Sequence, residues 1–194
     1  MKNKKHALNK YLDESSLPTK EDYYYDAMDL LNEGDYSGAI KLLERAIKID
    51  PHYVGAYVGM FTVYRERGNK KKYREYVDKA FKETKRKFPR WPQKLSWGII
   101  DNRQYLRAIC EKACLYWDDG DNEKAEQLFR LLLKLNSNDN QGVRYLIAGM
   151  FHGLKGEDIN RMFDEGNQNQ NWDHLEKLVE DENKKHNFWQ PPNY

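Results

Sequence analysis

The stretch Tyr24-Tyr-Asp-Ala-Met-Asp-Leu-Leu-Asn-Glu-Gly-Asp-Tyr-Ser-Gly-Ala-Ile-Lys-Leu-Leu-Glu-Arg-Ala-Ile-Lys-Ile-Asp-Pro51 reads as two helices joined by a tight turn. In its second half Ile40, Leu42, Leu43 and Ile47 recur at helical spacing and form the apolar stripe of an amphipathic helix. Ala27, Ala39 and Ala46 stand where only a short side chain lets two helix backbones come close. Gly34 follows the last apolar residues of the first helix and can take the left-handed conformation that ends it. Asp35 is placed to cap the next helix. Pro51, lacking an N–H, stops the second helix after Ile49-Asp50.

The pattern repeats outward from this stretch. Ala27, Ala39, Leu43 and Ala46 are matched 34 residues later by Phe61, Tyr73, Val77 and Ala80, and Gly34-Asp35-Tyr36 by Gly68-Asn69-Lys70. Gly120-Asp121-Asn122 lies another 52 residues on, which is the same period plus an insertion of 18. Ala125, Phe129 and Leu132 then fall in the slots of Ala39, Leu43 and Ala46. Register at one fixed period is the sequence mark of a helical repeat.

The quoted stretch resembles a tetratricopeptide repeat at nearly every signature position. The later units diverge: the second lacks the terminal proline, and the third carries Ser137 where proline is usual. The resemblance covers roughly residues 20–165. It implies an all-α fold, an α-α superhelix of three to four helix pairs closed by a terminal capping helix. It also implies a role in holding other proteins, with the first helix of each pair lining a concave groove.

The expected organisation is an N-terminal arm at 1–18, a repeat domain at 19–166, and a capping helix with an extended tail at 167–194. The repeat units fall at about 20–53, 54–87, 106–139 and 140–166, with an insertion at 88–105. Helices are expected at 19–33, 36–49, 53–67, 70–87, 101–118, 122–135, 138–153, 156–165 and 172–186. Two prolines bracket Trp91 in the insertion, so it is not one continuous helix. Its aromatic residues argue that it packs. Gly166-Asn-Gln-Asn-Gln-Asn171 reads as a polar break, and the prolines after Phe188-Trp189 favour an extended tail.

Composition agrees with a repeat protein. Of 194 residues, 39% are hydrophobic and 33% charged, thin for a two-layer core but sufficient where each repeat buries a local seam. No run approaches the roughly 18 apolar residues of a membrane span, and no membrane partner is expected. Polar Asn9-Lys10 and Asp13-Glu-Ser-Ser interrupt the basic start, so a secretory signal is not expected. Cys110 and Cys114, four apart in one helix, point poorly for a disulfide and suit a reduced, cytoplasmic protein. Two such residues are too few for a zinc site, and no metal or cofactor is expected. His6, His52, His152, His174 and His186 are scattered outside any catalytic motif, so an enzyme is not expected.

The resemblance places a peptide-binding groove on Tyr24, Met28 and Leu31, on Val58, Thr62 and Arg65, and on Arg107, Cys110, Cys114 and Trp117. Arg144, Ala148 and His152 complete it. Aromatic, Met and Arg side chains are what interface hot spots use, although inter-repeat packing claims the same positions equally well. The Lys and Asn pair with which some relatives clamp a peptide's C-terminal carboxylate is missing, because Tyr24, Met28 and Val58 stand in its slots. The leading expectation is thus an adaptor for a peptide or helix of a partner protein.

Charge offers a second surface. The net charge is only +2, yet residues 65–94 hold thirteen Lys/Arg against four Asp/Glu. Lys70, Lys71, Lys72, Lys82, Lys85, Arg86 and Lys87 form this basic face, interleaved with Tyr73, Tyr76, Phe81, Phe88 and Trp91. Such a mixture suits single-stranded nucleic acid, an acidic protein, or plain solvation. A further alternative is self-association through the Phe188-Trp189 tail.

Overall fold

The computed structural model describes residues 17–191, so most of the arm expected at 1–18 and the end of the tail lie outside the described residues. Among these residues the fold is all-α, as expected for the helix-pair solenoid class. The helices are α1 (Lys20–Asn32), α2 (Tyr36–Ile49), α3 (Val54–Glu66), α4 (Lys70–Lys87), α5 (Ile100–Asp118), α6 (Asn122–Leu135), α7 (Val143–Phe151), α8 (Gly156–Asn169) and α9 (Asp173–His186). They divide into two compact units, one ending at Tyr73 and one starting at Arg74, so the boundary falls inside α4.

In the first unit α1 and α2 pair, and α3 packs on both. Thr19 opens α1 with a capping box, its hydroxyl accepting from the Asp22 N–H while the Asp22 carboxylate accepts from the Thr19 N–H. Gly34 turns the chain at φ +82°, a conformation that favours glycine, and the Asp35 carboxylate accepts from the Gly38 N–H at 2.8 Å to start α2. Ala27, Ala39, Leu43 and Ala46 are fully buried at the crossings. α3 approaches so closely at Gly59 that a β-carbon there would stand 2.6 Å from Leu43 Cδ2 and 3.0 Å from Met28 Cε.

In the second unit α5 pairs with α6, α7 packs on α6, and α9 lies along α7. Gly120 and the Asp121 cap repeat the Gly34-Asp35 device, with Asp121 accepting from the Lys124 N–H. Leu106, Ile109, Ala113, Ala125, Phe129, Leu132 and Ile147 form the core, and Phe88, Trp91 and Trp97 of the insertion pack against it. The insertion is pinned to the end of α6 by the Leu95 N–H, which donates to Leu135 O at 2.8 Å. α5 begins at Ile100, one residue ahead of the expected 101, so the first residues of the 88–105 insertion are non-helical and its last ones open α5.

Two boundaries differ from expectation for identifiable reasons. α7 starts at Val143 and not near 138, because Asp139 and Gly142 adopt positive φ and hold a loop. α8 continues through the expected polar break to Asn169: Gly166 gives room to the Trp172 ring, and the left-handed Gln170 ends the helix instead. The tail beyond α9 is extended, yet it folds back. Asn183 accepts from the Phe188 and Trp189 N–H groups and donates to Trp189 O, and Phe188 is buried in its own chain.

Candidate functional site

The first-unit surface gathers tyrosines. Tyr24, on α1, meets the Tyr53 ring edge-on at 6.0 Å and the Tyr25 ring at 5.3 Å. The Lys20 ammonium sits 5.1 Å from the Tyr53 ring centre and pairs with Asp50 at 2.6 Å. That bond, before any other influence, holds the Asp50 carboxyl below its ordinary value. Tyr57 donates its hydroxyl to Pro51 O. Phenol rings fixed in this way present rigid area with a polar tip, which suits contact with another molecule. Tyr25 keeps 52% of its surface in solvent.

The other residues assigned to this end of the groove differ in burial. Met28 is half-buried against Gly59, and Leu31 is half-buried. Val58 is buried and unavailable. Thr62 is half-buried, its hydroxyl donating to Val58 O, and Arg65 is exposed near the C-terminal end of α3. Tyr25 and Tyr53 escaped sequence reading. The signal for Tyr53 is its place as an aromatic N-cap one residue ahead of α3.

The second unit uses its assigned groove residues differently. Trp117 is 9% exposed, meets Phe129 edge-on at 6.3 Å, and lies against Gly149 and Gly156. Cys114 and Cys110 are half-buried free thiols, and the hydrogen bond that the Cys114 S–H donates to Cys110, followed by burial, raises the Cys114 thiol well above its ordinary value. Ala148 is fully buried. Arg107 is exposed, with its guanidinium 5.5 Å from the Trp97 ring centre.

Arg144 is held within the fold. Its Nη1 donates to Asp139 at 3.0 Å, and Nη2 reaches Tyr145 and Glu176. The Trp189 ring of the returning tail covers it at 5.0 Å. Asp139, with 1% of its side chain exposed, also accepts from the Val143 and Arg144 N–H groups and so caps α7. Burial pushes its carboxyl above the ordinary range against the pull of those bonds. Burial and the Glu176 carboxylate push the Tyr145 phenol up to about 12. His152 is exposed and bonded through Nδ1 to the buried Glu182 at 3.0 Å, beside an open cleft of about 280 Å³ lined also by Leu154, Met162 and His174.

Of the basic residues, Lys70–Lys72 belong to the first unit and Lys82–Lys87 to the second. Lys70, Lys71, Lys82, Arg86 and Lys87 are exposed, whereas Lys72 and Lys85 are half-buried. Lys85 lies 4.4 Å from the Trp91 ring centre and Arg86 pairs with Glu83. Tyr76 is covered by Lys79 at 4.5 Å. The aromatic rings of this stretch are therefore already engaged. Among the described residues no group of three or more His, Cys, Asp or Glu is placed to hold a metal ion, and no helix is long and apolar enough to cross a membrane.

Comparison with known proteins agrees with this geometry. No curated protein is similar enough to this chain to count as a match. Family models described as tetratricopeptide repeat match residues 30–91 and again residues 106–139, on either side of the insertion. The paired helices, the recurring Gly-Asp turn and these two matches establish that the chain belongs to the tetratricopeptide repeat family.

Proposed function

We propose that this protein is a non-catalytic adaptor that holds a peptide segment of a partner protein against the α1/α3 surface. Tetratricopeptide repeats generally mediate contacts between proteins. The observation that carries the finer reading is the half-exposed Tyr24–Tyr25–Tyr53 cluster, with Met28 of α1 and Thr62 of α3 part-exposed on the same helix pair and Arg65 toward the far end of α3. Fixed aromatic rings bind with little loss of side-chain freedom, and a peripheral arginine favours a segment with an acidic residue. Arg107 and His152 are the accessible assigned residues of the second unit; Trp117 and Arg144 contribute there through packing. Free thiols at Cys110 and Cys114 suit a reducing compartment.

Selection of a random peptide library on the full chain tests this reading. Selected peptides should bind the wild type and lose roughly tenfold or more on a Tyr24→Ala/Tyr53→Ala variant of unchanged circular dichroism. Equal binding to both proteins sinks it. Nucleic-acid binding is the weaker alternative, since Lys85 and Lys79 already cover Trp91 and Tyr76. Self-association through the tail would require Phe188 to leave its own core.

A further inference from the structure

One end of the second unit carries a surface that neither the repeat nor the proposed peptide site uses. Ile99 and Ile100 are adjacent and 57% and 60% exposed. Ile99 stands at the N-cap of α5, where a polar side chain would ordinarily satisfy the first N–H groups, and it provides no such bond. Two bare isoleucines at that place have no local folding purpose.

The segment leading into this pair is rich in cations. Phe88 meets Tyr105 at 5.0 Å, which brings the end of α4 beside the first turns of α5. The Leu95–Leu135 bond brings the end of α6 there too. Lys87, Arg90, Lys94 and Lys134 are exposed at this end and make no ion pair among the described residues. Lys85, Arg86 and Lys87 also favourably oppose the dipole of α4. That effect accounts for neither Arg90 and Lys94 nor the isoleucines. Asp101 is the acidic residue in the first turn of α5, and Glu83 is taken by Arg86.

We propose that this end of the second unit docks on a membrane surface rich in anionic lipid. Ile99 and Ile100 enter the boundary of the acyl region, and Lys87, Arg90, Lys94 and Lys134 lie against the headgroups. No spanning helix is needed for this, since apolar insertion and headgroup attraction together suffice for reversible binding. The chemistry favours lipid over the other anionic partners. Ile99 is extended at φ −86° and ψ 110° and Ile100 is the first helical residue, so the two do not belong to one helical face. A fluid acyl layer takes both isoleucines, whereas a shaped protein pocket takes one direction. Nucleic acid would use the cations but has no use for exposed aliphatic side chains, and the tryptophan faces here are covered by Lys85, Arg103 and Arg107.

Flotation of the full chain with phosphatidylcholine vesicles, with and without phosphatidylserine, tests the proposal. The protein should float with the phosphatidylserine vesicles and not with phosphatidylcholine alone. Binding should fall roughly tenfold or more in Ile99→Ser/Ile100→Ser, and comparably in Lys87→Gln/Arg90→Gln/Lys94→Gln. These side chains are exposed, and circular dichroism should show both variants folded. Absence of flotation, or flotation that the isoleucine variant retains, overturns the proposal. So does tighter binding of polyglutamate or a single-stranded RNA oligonucleotide, with only the charge variant affected.

Discussion

The tyrosine surface of α1 and α3 and the equivalent surface of α5 and α7 occupy the same slots of one repeat, yet they differ in how much of each side chain reaches solvent. In the first unit the slots hold Tyr24, Met28, Thr62 and Arg65, which keep part of their surface in solvent. In the second they hold Trp117, which is core, and Arg144, which is tied to Asp139, Tyr145, Glu176 and Trp189. A large aromatic or long cation in a groove slot becomes packing when a following helix and a returning tail lie within its reach. Residue type at a repeat position therefore does not assign a binding role; the neighbours that reach it decide.

That contrast is broken most forcefully at Trp117. Trp117→Ala removes a buried ring packed on Phe129 and should cost about 3–5 kcal/mol, read as a large fall in the denaturation midpoint of the second unit. A loss below about 1 kcal/mol would return Trp117 to the list of free groove residues. Asp139→Ala should follow at about 2–3 kcal/mol, because it strips the cap from α7 and leaves Arg144 short of its carboxylate. Denaturant unfolding measures it.

Gly59→Ala carries the comparison to the first unit. The added methyl must displace the buried Leu43, so the unit should lose about 1–3 kcal/mol, with protection from hydrogen exchange falling in α1–α3 and holding in α5–α9. A smaller, pH-dependent effect sits between α7 and α9. Bonds from Lys185 and then His152 hold the buried Glu182 carboxyl below its ordinary value. The stability this contributes is fully present above the unfolded glutamate value of about 4.3 and is lost as pH falls through the lowered folded value. Glu182→Gln should flatten the acid limb of the stability–pH curve. Tyr25→Ala should change stability least, within about 0.5 kcal/mol by thermal unfolding, because its exposed ring serves the surface and not the fold.

Most of the fold was legible because the repeat is written in small residues and turns. Ala27, Ala39 and Ala46 are fully buried at the crossings, and Gly34 and Gly120 take the left-handed turn. Asp35 and Asp121 cap the helices that follow. What escaped depends on contacts distant in sequence or on single side chains overriding composition. Asp139 delays α7 by accepting bonds ahead of it, and the Asn/Gln string after Gly166 stays helical because Trp172 packs on that glycine. Local pattern contains neither contact. The tail reads as free from its prolines, but Asn183 folds it back. For the candidate site, sequence assigned Tyr24, Met28, Thr62 and Arg65 to the first two repeat units, and all four keep part of their surface in solvent. It had no means of telling that Trp117 and Arg144 are consumed by neighbours, nor that Tyr53, a residue outside the first-helix slots, completes the tyrosine cluster.

Chemical-shift mapping of a library-selected peptide on the isotope-labelled full chain tests the central claim most directly. The account predicts that the perturbed resonances centre on Tyr24, Tyr25, Tyr53 and Thr62, with Trp117 and Arg144 unmoved. Perturbations centred on Trp117, Arg144 and His152, with the α1/α3 surface silent, would contradict it.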